Sequence, residues 1–209
     1  MSLLDFARFR DAPVAPDPFA HVIVPNFVKP ERLAAVLSAL PAMRGRGSFP
    51  ISAVKLGAAG RQMVAEIEGE EFRGIVAEKF GLSLEGAPVM TTLRGNSGEQ
   101  DGRIHTDSAA KLVTILLYLN PSAGWQSQLG RLRLLRDGKD LEDYAVEVPP
   151  TDGALLVFPN GRNTFHGHRK FVGQRYVMQM NYMTTGAKAK AEMRRHHLSA
   201  FVKRIMRAA

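Results

Sequence analysis

The 209 residues are 45% hydrophobic, enough to bury one core, and carry a formal net charge of +8 with no cysteine. Disulfide frameworks and zinc–thiolate sites are therefore excluded, and any metal must be held by imidazole and carboxylate. No run of about 18 apolar residues occurs and no apolar leader precedes a small-residue cleavage site, so a cytoplasmic protein is expected, with residues 1–209 as a single domain.

Residues 1–18 hold Pro13, Pro16 and Pro18 and read as an irregular lead-in. His21 to Phe27 has the composition of a short strand, and Lys29-Pro30-Glu31 can open a helix with Leu33, Val36, Leu37 and Leu40 on one face and Pro41 as its stop. Residues 43–60 read as a loop, and helical pieces are expected over 61–68 and 70–80, the second with Phe72, Ile75, Val76 and Phe80 on one stripe. The stretch 1–86 is thus predicted to be mostly helical support.

From Ala87 the pattern changes to short β-type runs: VMTTLR, KLVTILLYLN, GRLRLLRD, YAVEVPP, ALLVFP and QRYVMQMNYM. Regularly spaced strands joined by Gly and Pro suggest a sandwich or barrel over 87–185 rather than alternating βαβ units. Helical spacing returns in 186–209, where Leu198, Phe201, Val202, Ile205 and Met206 form an apolar stripe. That segment holds seven Lys or Arg against the single acid Glu192, so it supplies +6 of the +8.

His105-Thr106-Asp107 precedes the most hydrophobic run of the chain, and in an extended segment residues i and i+2 point to the same side. Alone, such a tripeptide is a weak signal. Its weight comes from Phe165-His166-Gly167-His168 after the run ALLVFP, and from Arg175, nine residues beyond His166. Two imidazoles and one carboxylate leave three octahedral positions open, the facial arrangement used by non-haem Fe(II). A guanidinium offers a planar fork for the far carboxylate of a chelating dicarboxylate. His168 competes with His166 as the third ligand, and the spacing to Arg175 favours His166.

The order HTD, LLYLNPSAG, GRLRLL, VPPTDGALLVFP, FHGHRKFVGQR resembles the Fe(II)/2-oxoglutarate dioxygenases of the prolyl-4-hydroxylase-like group over roughly residues 88–183. The chain departs from that pattern at Gln128-Leu129-Gly130-Arg131 and at Val177. The resemblance implies a double-stranded β-helix (jelly-roll, cupin-like) core, α+β but mainly β, with N-terminal helices as buttress and a helix at the C-terminal end. It implies His105, Asp107 and His166 as catalytic Fe(II) ligands and Arg175 as the residue binding 2-oxoglutarate. Iron, 2-oxoglutarate and O₂ are the expected cofactors and co-substrates, with ascorbate a candidate addition. Turnover would yield succinate, CO₂ and a hydroxylated product.

Substrate recognition is expected in loops 43–60, 95–104 and 121–130, from a small molecule, a glycan or lipid precursor, or a protein side chain. Arg94, Arg103, Arg131 and Arg133 are candidates for contacting an anionic substrate; Tyr118, Asn120 and Trp125 are candidates for touching substrate or co-substrate. His21 reads as structural and His196 and His197 as solvated positions of the tail. The basic tail is a candidate for weak contact with an anionic membrane surface. Nucleic acid is not an expected partner, because the basic residues are not interleaved with exposed aromatics. A catalytically silent sensing barrel and a cupin-like enzyme using another metal without 2-oxoglutarate are the rival readings. Oligomeric state has no signature in the sequence.

Overall fold

A computed structural model describes residues 1–43, 45–125 and 127–195. The supposed irregular lead-in contains a helix, α1 (Phe6–Asp11), because the Asp5 side chain accepts from the backbone N–H of Arg8 and so caps a segment too short for its periodicity to be read. Strand β1 (Val22–Val24) follows, then α2 (Pro30–Ser38), which Pro30 initiates in its first turn. Residues 43–60 are not all loop: they contain β2 (Phe49–Pro50), a short 3₁₀ turn and the start of α3 (Ala58–Ile67). Helix α4 (Glu70–Phe80) ends on Gly81, whose φ of 62° is the left-handed conformation that closes a helix cheaply only at glycine.

The remaining strands are β3 (Val89–Ser97), β4 (Lys111–Tyr118), β5 (Leu132–Leu135), β6 (Tyr144–Val148), β7 (Leu155–Pro159), β8 (His166–His168) and β9 (Gly173–Met183). They form a six-stranded sheet, order β1-β7-β4-β9-β3-β2, and a three-stranded sheet, order β6-β5-β8, with neighbouring strands antiparallel. Two unequal antiparallel sheets facing one another make the squashed barrel of a double-stranded β-helix.

Alternation along each long strand sends one set of side chains outward and one inward. The outward set, including Leu93, Ile115, Val157, Met180 and Tyr182, meets the helices in the larger core. Inward, Leu116, Tyr118, Leu156, Phe158 and Val177 pack against Leu132, Leu134 and Val148 of the smaller sheet. Under the helices, Phe27 is fully buried and contacts the rings of Phe6, Phe9 and Phe72 at centroid separations of 6.0, 5.7 and 6.0 Å.

Residues 187–195 are helical and dock through Ala189 and Met193 onto Ala110, Met183 and Met90. The apolar stripe expected at Leu198, Phe201, Val202, Ile205 and Met206, like His196 and His197, lies outside the described residues. Among the described residues no helix is long and apolar enough to cross a membrane.

Truncating the ring at the centre of the aromatic cluster removes area and leaves a void that the surrounding rings fill poorly. Phe27→Ala is therefore expected to lower unfolding stability by about 3–5 kcal/mol, read from the urea midpoint at unchanged m-value.

Candidate active site

The segment before β4 runs alongside β8. His105 N–H donates to His166 O at 3.0 Å, His166 N–H donates to His105 O at 2.9 Å, and His168 N–H donates to Gly102 O at 2.9 Å. Such reciprocal bonding puts His105 and His166 directly opposite each other, with ring centroids 4.3 Å apart. The approach is close because Gly167 lies opposite it: a Cβ there would stand 2.9 Å from Gly102 O. Asp107 follows two residues after His105, and ligand atoms of His105, Asp107 and His166 all lie within 4.8 Å of one another.

Both imidazoles are set in one tautomer by the backbone. His105 Nδ1 lies 2.9 Å from Arg103 O and His166 Nδ1 lies 2.9 Å from Thr164 O. A carbonyl only accepts, so each Nδ1 carries the proton and each Nε2 keeps its lone pair for a metal. Burial disfavours the imidazolium of His166 and, with His105 nearby, pushes its pKa down to about 4, so the ring is neutral near pH 7.

Burial alone would push the Asp107 carboxyl up, but the Lys111 ammonium, His166 and hydrogen bonds from Lys111 and Thr114 hold it below the usual carboxylate range. Lys111 Nζ donates to Oδ1 at 2.6 Å and Thr114 Oγ1 to Oδ2 at 2.5 Å, while Asn181 Nδ2 donates to Thr114 Oγ1 at 3.1 Å. The ionised carboxylate is thus aimed before any ligand arrives. Alternation along the hydrophobic strand gives no hint of Lys111: the register slips between Lys111 and Val113, and this bulge turns the lysine onto the inner face.

Arg175, at the start of β9, is 5% exposed and donates from Nε to Gly130 O at 2.9 Å. Among the described residues no carboxylate lies within ion-pair distance of it, and burial lowers its pKa. Its guanidinium lies 5.6 Å from the centroid of the Tyr118 ring, and the fully buried Tyr118 hydroxyl faces it, with no hydrogen bond to any other group among the described residues. Burial pushes that phenol up to about 12, so it remains a donor. A buried cation whose polar neighbours are a carbonyl and a phenol, with no carboxylate, is costly unless an anion reaches it. The donor set suits a carboxylate.

Arg175, Tyr118, Lys111 and the three clustered residues His105, Asp107 and His166 line one cavity of about 370 Å³. His168 also lines it but is outside the ligand cluster; its Nδ1 faces Arg169 O at 2.9 Å, and burial followed by the nearby Arg175 pushes its pKa down to about 4. The other sequence candidates divide. Arg94 and Arg103 line the cavity, Arg94 paired with Asp101. Arg133 is buried against Glu142 and Glu147, and Arg131 pairs with Glu147, so both secure the smaller sheet rather than the cavity. Trp125 stacks on Phe171 outside the cavity, at 4.6 Å. His21 is buried, with Nδ1 2.8 Å from Phe19 O, as a structural histidine should be.

A jelly-roll barrel holding two imidazoles, a carboxylate and a buried unpaired guanidinium in one cavity has the architecture of a non-haem metal oxygenase. Residues 91–183 match the family model described as the 2OG-Fe(II) oxygenase superfamily. Similar solved structures include a Pseudomonas putida prolyl-4-hydroxylase (21% identity, TM-score 0.54, covering 79% of this chain and 87% of that one). A Phytophthora capsici prolyl 4-hydroxylase has 17% identity and a TM-score of 0.58 over 88% of this chain and 67% of its own. A Trichoplax adhaerens prolyl hydroxylase in complex with a hypoxia inducible factor peptide fragment has 18% identity and a TM-score of 0.51 over 78% and 83%. Among curated proteins no sequence matches. Residues 91–183 thus form a 2OG-Fe(II) oxygenase domain, an oxidoreductase domain whose fold is that of the prolyl-4-hydroxylase-like group.

Asn120 has a structural task. It donates from Nδ2 to Pro150 O and Tyr176 O, and its Oδ1 accepts from Tyr176 N, tying the end of β4 to β9 next to Arg175. Asn120→Ala strands those buried partners and should cost about 3 kcal/mol of stability in chemical denaturation.

Proposed function

We propose that the chain hydroxylates an unactivated C–H bond, with Fe(II) held by His105, Asp107 and His166 and 2-oxoglutarate held at its distal carboxylate by Arg175 and Tyr118. In balance, substrate, O₂ and 2-oxoglutarate become hydroxylated substrate, succinate and CO₂, with one oxygen atom in the new hydroxyl and the other in succinate. The observation that carries this reading is Arg175: a buried guanidinium without an acidic partner among the described residues, sharing a cavity with two imidazoles and an ionised carboxylate.

Bound iron would supply the oxidising power. The protein's part is positional. The backbone carbonyls of Arg103 and Thr164 orient the two rings, Lys111 and Thr114 hold the carboxylate, and the apolar wall of Leu116, Leu132 and Val177 limits water at the Arg175 end of the cavity. The Trichoplax adhaerens neighbour is bound to a peptide fragment. A polypeptide side chain therefore stands beside small molecules and glycan or lipid precursors as a substrate class in this reading.

His105→Ala and Asp107→Ala should each abolish tight Fe(II) binding and succinate formation, measured by metal titration and by product analysis; turnover retained in both would refute the ligand assignment. Arg175→Ala should raise the Kd for 2-oxoglutarate by about a hundredfold, the scale of leaving a buried charge unpaired, while leaving metal affinity unchanged. Tyr118→Phe removes a hydroxyl whose polar neighbour among the described residues is the Arg175 guanidinium, so unfolding stability should change little while 2-oxoglutarate affinity falls about tenfold. An unchanged 2-oxoglutarate Kd in both variants would favour a metal enzyme that does not use it. Affinity for 2-oxoglutarate without substrate-stimulated succinate release would favour a sensing barrel.

A further inference from the structure

The inner face of the six-stranded sheet changes character from one side to the other. Three ladders cross it. One reads Phe158–Thr114–Asn181–Met90, the next Leu156–Leu116–Gln179–Thr92, and the third Tyr118–Val177–Arg94. The β7 and β4 positions are largely apolar and lie beneath the smaller sheet, in contact with Leu132, Leu134 and Val148. The smaller sheet has three strands against six and does not extend over β9 and β3 beyond Val177. Beyond it stands a polar shelf of the half-buried Thr92 and Gln179, which line the metal-ligand cavity, with Asn181 buried beside them.

A second space, a groove of about 360 Å³, adjoins this shelf and is walled by Pro50 and Met90 on one side and by Glu192 and Arg195 of the C-terminal helical segment on the other. Ser48, Thr92, Lys111 and Gln179 line both the cavity and the groove, so they stand at the passage between them. Glu192 is engaged by Ser108 Oγ at 2.6 Å, which fixes this wall to the turn that follows Asp107.

The groups at the passage have hydrogen-bonding capacity that the protein does not use. Lys111 is 12% exposed on its side chain and spends one donor on Asp107; among the described residues it has no second acceptor, which leaves two N–H donors. The Gln179 carboxamide makes no side-chain hydrogen bond among the described residues, and Thr92 Oγ1 has only a long contact, 3.5 Å, to Gln179 O. A buried ammonium with spare donors next to an unbonded amide matches the oxygens of a carboxylate or phosphate, and does not match a hydrocarbon.

We propose that Lys111 and Gln179 form a recognition pair for an anionic oxygen group of the substrate, a carboxylate or a phosphate, with the substrate lying across the β9–β3 shelf. Lys111 is 2.6 Å from a carboxylate oxygen of Asp107. The anionic group would therefore sit only a few bonds from the carbon that is oxidised. The inference rests on the oxygenase reading above and narrows it to hydrophilic, anionic substrates that carry the charge close to the reacting position.

The test uses the full chain loaded with Mn(II) and saturated with 2-oxoglutarate, so that Arg175 is occupied. Probe binding is read from the paramagnetic relaxation of probe protons, with butyrate and butyl phosphate as anions and butyramide and butanol as neutral counterparts. At least one anion should bind about tenfold more tightly than its neutral counterpart, the scale of a charged against a neutral hydrogen bond, with its protons relaxed by the metal. Whichever anion leads identifies the carboxylate or the phosphate as the group read. Lys111→Met should erase the preference. Because that change touches a proposed metal ligand, Gln179→Glu serves as the independent variant: it places a negative charge on a side chain that hydrogen-bonds none of the three proposed ligands, and should also abolish anion preference while retaining Mn(II) and 2-oxoglutarate binding. Equal binding of anionic and neutral probes to the loaded wild type, or a preference that survives both substitutions, would overturn the proposal and leave the oxygenase reading standing. Failure of the wild type to bind Mn(II) and 2-oxoglutarate in the same samples would overturn both.

Discussion

The pair of backbone hydrogen bonds between His105 and His166 is the constraint on which the site depends. Sixty-one residues separate the two histidines in sequence, and they arrive on two short extended segments, that of His166 buried and that of His105 more exposed. Reciprocal N–H to C=O pairing fixes their register, and a one-residue slip would turn one imidazole to the opposite face. Gly167 makes the close approach possible because a Cβ there would crowd Gly102 O. With the register fixed, the carbonyls of Arg103 and Thr164 set the ring tautomers, and Asp107 falls into place two residues later.

The inequality of the two sheets carries the same logic outward. Three strands facing six can close only part of the inner surface, and the part they close is apolar: Leu116, Leu156, Phe158 and Val177 against Leu132 and Leu134. Arg175 and Tyr118 lie within this enclosed end, where a charge without a carboxylate partner and a phenol beside it are strongest as ligand-binding groups because water cannot compete for them. The polar shelf of Thr92 and Gln179 lies toward the other end, with Asn181 buried beside it. In the proposed reading, one barrel presents a dry compartment for the co-substrate's charge and a wetter approach for a polar substrate, with His105, Asp107 and His166 between them.

Much of this was legible from sequence because it rests on short-range rules. The i, i+2 relation of His105 and Asp107, the strand runs from Val89 onward and the stripe of α4 all follow from periodicity, and each reappears as a structural element. Other features were not legible. Strand β8 is only His166-Gly167-His168, without a β-branched or aromatic residue, and exists as a strand because β5 and the segment before β4 supply its partners. Lys111 reaches Asp107 through a bulge that alternation does not foretell. The division of the four candidate arginines depended on distant acids: Glu142 and Glu147 claim Arg133 and Arg131, while Arg94 and Arg103 stay at the cavity. Sequence spacing contains no information about such pairings, which form across separate strands and loops.

The central claim is that one cavity binds a metal and a 2-oxo acid together. Its most direct test is anaerobic titration of the Fe(II)-loaded protein with 2-oxoglutarate while recording the visible spectrum. The account predicts a weak charge-transfer band from bidentate chelation, saturating with one equivalent of 2-oxoglutarate per protein and missing in His166→Ala. Fully metal-loaded, folded protein that never develops this band would contradict it.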